Sequence, residues 1–144
     1  MAVTNQKIES VVGLKKWPST LLIPSWYPEN LDDPRGSFFR EQAQALVNAG
    51  LPLSVLVIRK RSVSRSRLLL AIAKGSVGRK WQSDEGVPTC EWILPTLVNP
   101  KFGWLEPWMI RRAWRWMERR SGPFDLFYAH CALNGGRWAR DFAR

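Results

Sequence analysis

Acidic residues, histidine and cysteine are all scarce in this sequence. Twelve Asp and Glu stand against 22 Lys and Arg, leaving a formal net charge of +10 over 144 residues. Such an excess favours an anionic partner: a phosphorylated substrate, an anionic lipid surface or a nucleic acid. Charge alone does not choose among them. The two cysteines, Cys90 and Cys131, have no metal-ligand spacing and form no disulfide framework, so buried thiols in a reducing compartment are expected and a metal is not. Long apolar runs are missing too. The longest purely aliphatic one, Leu68 to Ala73, falls far short of the roughly 20 residues that span a bilayer. Residues 1–10 lack the basic stretch and apolar run of a secretory signal, and a soluble cytoplasmic protein is the expectation.

What is present suffices for one core. Apolar residues make up 45% of the chain, and Gly and Pro number ten each, which argues against a disordered or fibrous protein. Tryptophan is abundant, with nine copies. Residues 1–19 show no periodicity and read as a flexible lead-in; residues 20–144 carry the folded part. Thr20 to Pro24 fits a buried strand closed by proline, and Ser25 to Gly36 is a loop dense in Pro, Asn, Asp and Gly. A helix is predicted over Ser37 to Asn48, stopped by Gly50, and a β-prone run follows at Leu53 to Ile58. Strand, loop, helix and strand within about 40 residues, with strands apolar on both faces, predict a βαβ unit of an α/β, Rossmann-like parallel sheet flanked by helices. Arg59 to Lys80 reads as basic and irregular around a short apolar patch. Val87 to Leu94 is a third strand, Trp104 to Arg120 an amphipathic helix, Phe124 to Ala129 a fourth strand, and Gly135-Gly136 opens a last helix.

In open α/β sheets ligands bind beyond the carboxyl ends of the strands, where strand order reverses. Two candidates belong to that edge. Pro34-Arg35-Gly36 immediately precedes a helix N-terminus, where backbone N–H groups and the helix dipole favour a phosphate; equally, Gly36 could serve a turn alone. His130 ends the fourth strand and could hydrogen-bond a substrate hydroxyl or shuttle a proton, or it could be a buried imidazole bonded to backbone. G-x-S-x-G, Walker A, H-E-x-x-H and G-x-G-x-x-G are absent, which removes support for P-loop and dehydrogenase readings of the βαβ unit.

Leu22-Ile23-Pro24-Ser25-Trp26-Tyr27-Pro28, then Pro34-Arg35-Gly36-Ser37-Phe38-Phe39-Arg40-Glu41-Gln42-Ala43, then Leu46 and Ala49-Gly50 resemble the opening of family 4 glycosyltransferases. Phe124 to His130, followed by Gly135-Gly136, resembles that family's histidine-terminated strand and small-residue turn. Residues 59–121 carry little of the signal. The resemblance implies a GT-B enzyme with two Rossmann-like domains, the first binding the acceptor and the second a nucleotide-sugar. It also implies transfer that retains anomeric configuration without a metal or other cofactor. Carried over, Gly36 would lie beside the donor diphosphate and His130 near the donor sugar. Gln42 matches a helix position of the family. Arg35, Gly135 and Gly136 become candidate phosphate or substrate contacts.

The family's donor-domain signature, two glutamates separated by seven residues, is absent. The expectation is therefore a partial acceptor-side domain over residues 20–144, without the donor-binding domain and inactive alone. Implied partners are a nucleotide-sugar and a saccharide or lipid-linked acceptor. The basic stretches at 59–80 and 101–120 suggest peripheral attachment to the inner face of an anionic membrane, with Arg111, Arg115 and Arg119 as membrane-facing candidates. The alternative for that helix is tryptophans packed on the sheet and arginines left in water. A non-catalytic membrane-surface or nucleic-acid module is the competing class, although no recognised nucleic-acid motif occurs.

Overall fold

The computed structural model describes residues 17–30, 32–96, 104–131 and 134–144. Residues 1–16 of the expected lead-in, and residues 101–103 of the second basic stretch, lie outside the described residues. The elements run β1 (Thr20–Ile23), α1 (Ser37–Asn48), β2 (Leu53–Arg61), α2 (Arg65–Lys74), β3 (Gly78–Asp84), β4 (Val87–Pro95), α3 (Leu105–Ser121), β5 (Leu126–Ala129) and α4 (Asn134–Phe142). They form one five-stranded sheet in the order β3-β4-β2-β1-β5. β4, β2, β1 and β5 are parallel, and only the edge strand β3 runs antiparallel, against β4. The chain is an α/β protein with a Rossmann-like, largely parallel sheet.

Strand periodicity divides the core in two, because successive side chains leave a strand on opposite faces. Leu21, Ile23, Leu56, Cys90, Trp92 and Leu94 face one side, where α3 and α4 cover them with Met109, Ala113, Met117 and Phe142. Leu22, Val55, Val57 and Val87 face the other, under Ala43, Leu46 and Val47 of α1. Each large aliphatic side chain so buried contributes about 1.5–3 kcal/mol before chain entropy is counted. Two tryptophans of α3 join the core: Trp114 stacks on Phe142 at 5.3 Å, and Trp116 meets Trp81 at 5.7 Å and Trp92 at 6.1 Å.

The structure corrects the reading of Arg59 to Lys80. β2 continues three residues past Ile58, because its ladder with β4 pairs Arg59 with Ile93, Lys60 with Leu94 and Arg61 with Pro95. The apolar patch lies within α2, which buries Ala71. Gly78–Asp84 becomes β3, although GRKWQSD has little apolar alternation; its pairing with β4 supplies the stabilisation. The turn between them, Glu85-Gly86, has φ of 48° and 88°, the two positive values a tight hairpin needs. Ser19 is already tied to the sheet, accepting from the Asp125 and Leu126 N–H groups at 2.8 and 3.0 Å.

Candidate functional site

β1 has β2 on one side and β5 on the other, so strand order reverses at β1 and β5. Ile23 pairs with Ala129, and the two strands end side by side. The loop from Pro24 to Gly36 and the residues after Ala129 therefore share the carboxyl edge where such sheets take ligands.

Gly36 leads α1 in a left-handed conformation, φ 81°. A Cβ there would stand 2.9 Å from both Trp26 C and Tyr27 N, so glycine is required by space as well as by dihedral. Its carbonyl accepts from Phe39 and Arg40 N–H at 3.0 and 3.3 Å, while no side chain caps the helix. The Gly36 and Phe38 N–H groups are left without partners among the described residues. A helix N-terminus with open donors attracts an anion. Arg35 is nearby but engaged: its Nε donates to Asp33 Oδ1 at 3.0 Å. That bond, with the Arg35 and Glu29 N–H groups, holds the Asp33 carboxyl down at about 2. The Arg35 side chain is exposed while that of Asp33 is largely covered, so Arg35 is the member of the pair that a ligand can reach.

His130 meets this helix through an aromatic stack. Phe39 lies over the imidazole with centroids 4.2 Å apart, and Trp26 stacks beyond Phe39 at 6.4 Å. Tyr128 approaches the imidazole edge-on at 5.1 Å and accepts a hydrogen bond from Gln42 Nε2 at 3.2 Å. Gln42 thus braces the ring's neighbour. Both imidazole nitrogens are buried and make no hydrogen bond among the described residues. Desolvation pushes the pKa of His130 below its usual value, which favours the neutral ring.

Gly135 and Gly136 have packing duties. A Cβ on Gly135 would stand 3.2 Å from Ile23 O, and one on Gly136 2.7 Å from Cys131 O. The Gly136 N–H already donates to Cys131 O at 2.8 Å, so it is not a free phosphate donor. These glycines let α4 approach the strand ends. Cys131 itself is half-buried and its Sγ accepts from Ser25 Oγ at 2.7 Å.

Three contributors were not singled out from the sequence: Phe39, Tyr128 and Arg59. Arg59 donates through Nη2 to the carbonyls of Tyr27 and Pro28 at 2.9 and 3.1 Å. Its Nε lies 2.7 Å from Glu91 Oε1, although the N–H is not aimed along that contact. Arg59 clamps the loop after β1 to β2 and, with Arg35, lines a small cleft of about 150 Å³ on the α1 side. For Arg59 the sequence signal was a charged residue directly after the apolar run that ends at Ile58.

Arg111, Arg115 and Arg119 lie apart from this edge, on the solvent side of α3. With Arg112 and the exposed Trp108 they line an open concavity of about 360 Å³. No carboxylate pairs with these four arginines among the described residues. The tryptophans are divided: Trp114 and Trp116 pack inward, while Trp104 and Trp108 are exposed. No described helix is long and apolar enough to cross a membrane, and no metal-binding group of three His, Cys, Asp or Glu occurs among the described residues.

Fold and edge together define an α/β protein with a candidate ligand site at the switch point of a Rossmann-like sheet. Comparison with protein-family models, with curated proteins and with solved structures gives no match for this chain.

Proposed function

We propose that the chain is the acceptor-side part of a retaining, family 4-like glycosyltransferase that takes a nucleotide-sugar donor. One observation carries the reading: at the β1/β5 switch point the open N-terminus of α1, led by Gly36, lies against His130, whose ring nitrogens make no hydrogen bond among the described residues. In this reading the α1 N–H groups face the donor diphosphate. A neutral imidazole then hydrogen-bonds a sugar hydroxyl without adding charge near the reacting carbon. Phe39 screens that ring, so it must swing aside for the donor to enter. The donor-binding domain would come from sequence beyond residues 20–144.

The test is transfer by the full-length enzyme with a panel of nucleotide-sugars. His130→Ala is expected to lower kcat/KM by about 100-fold while the melting temperature holds. Undiminished turnover in that variant would remove the assignment.

A second reading concerns location and is favoured by the arginines of α3 that pair with no carboxylate among the described residues, together with the exposed Trp104 and Trp108. They suit reversible contact with an anionic membrane surface, and the same surface could act without catalysis. Each basic residue near an anionic leaflet supplies about 1 kcal/mol, so replacing Arg111, Arg115 and Arg119 by Gln together is expected to weaken vesicle binding by about 100-fold. Flotation with phosphatidylserine vesicles at low salt reads this directly. Failure of the unaltered protein to float would eliminate it.

A further inference from the structure

The carboxyl edge has a second concavity, on the opposite face of the sheet from His130. Side chains alternate along β2, so Val57 and Arg59 look toward α1 while Ile58 and Lys60 look toward α4. Between Ile58, the end of β1 and α4 lies a cavity of about 330 Å³. Pro24, Trp26, Ile58 and Trp138 give it apolar walls; Ser25, Lys60 and Cys131 are its polar members. Pro24, Ser25, Trp26 and Ile58 border both this cavity and the cleft beside Arg59, and Trp26 also stacks toward Phe39 on the α1 side. The volume lies at the lower end of the range for small-molecule sites, and a few polar groups among aromatic walls is their usual make-up.

Charge narrows the choice of ligand. Lys60 Nζ lies 2.8 Å from Glu106 Oε2, and Arg137 Nη2 3.9 Å from Glu106 Oε1. Two cations share one carboxylate, leaving a positive charge beside the opening. The C–H face of a sugar ring is apolar and lies well against an indole, whose π face carries partial negative charge.

We propose that this cavity binds a saccharide carrying an acidic group, its ring against the Trp26 and Trp138 walls and its carboxylate or phosphate met by Lys60. As an acceptor subsite the assignment rests on the transferase reading; as a binding site it stands alone. Trp26 would then separate acceptor from donor.

Cys131 provides the readout. Cys90 is fully buried with its thiol pushed up to about 12, so mild N-ethylmaleimide treatment of the folded protein reports on Cys131. Glucuronate and glucose 6-phosphate separate the carboxylate from the phosphate source. At least one should slow alkylation, with neutral glucose needing roughly tenfold higher concentration. Lys60→Gln should abolish that preference, and Trp26→Ala should weaken protection by all sugars. No protection by either acidic sugar, equal protection by inorganic phosphate, or an undiminished preference in Lys60→Gln would overturn the proposal. Protection without nucleotide-sugar turnover would leave the cavity assignment standing while the transferase reading fell.

Discussion

Gly36 and Gly50 bracket α1, and replacing each by alanine separates two costs. Both have positive φ, 81° and 89°, so an alanine at either is strained by about 1–2 kcal/mol. Both replacements also stiffen the unfolded chain, which returns about 0.4–1 kcal/mol. Surroundings make the difference. A Cβ at Gly50 meets nothing within 4 Å, whereas one at Gly36 stands 2.9 Å from two backbone atoms of the Trp26–Tyr27 peptide. Moving backbone to relieve such overpacking costs a further 1–3 kcal/mol, roughly. Gly50→Ala should therefore lose about 1 kcal/mol and Gly36→Ala about 3 kcal/mol. With a urea slope of about 2 kcal/mol per molar, the midpoint falls by roughly 0.5 M and 1.5 M respectively. Equal shifts for the two variants would refute the argument that the loop after β1 is pressed against the head of α1.

His130 should make stability depend on pH. Its folded pKa is lowered by burial, so the unfolded chain takes the proton first. Stability is full above the ordinary imidazole range, about 6.5, and falls as pH drops from there toward the lowered value. His130→Phe, which can keep the stack on Phe39, should flatten urea midpoints across that window; an unchanged slope would count against the buried imidazole. Met109→Ala should cost about 2–5 kcal/mol, since Met109 is fully buried, whereas Arg111→Ala on the solvent side should stay within about 0.5 kcal/mol. Thermal or urea melts decide both. Arg59→Met leaves the Tyr27 and Pro28 carbonyls without their donor, and faster amide exchange in residues 28–36 is the expected signature. Unchanged exchange would show the clamp to be incidental.

α1 was legible to the residue because Gly36, the spacing of its apolar positions and Gly50 are local signals. β1 and β2 were legible as strands buried on both faces because Leu21 to Ile23 and Val55 to Ile58 are continuously apolar. β3 was not, since Gly78–Asp84 is a strand through its ladder with β4 and the Glu85-Gly86 hairpin. The one-sided apolar pattern of α3 did foretell that Met109, Ala113 and Met117 are buried. It said nothing of the stack between Trp114 and Phe142, which joins residues 28 positions apart.

The site divides in the same way. That Gly36 and His130 belong to one sheet edge follows from their places at a strand–helix turn and a strand end, local properties the chain carries by itself. Tertiary structure alone decided what surrounds them. Phe39 covers the imidazole, Tyr128 meets it edge-on through a bond to Gln42, and Arg59 ties the loop to β2. Apart from Tyr128 against His130, those contacts join residues tens of positions apart, and they exist because β1 is sandwiched between β2 and β5, a pairing set by burial on both faces and not by any local preference.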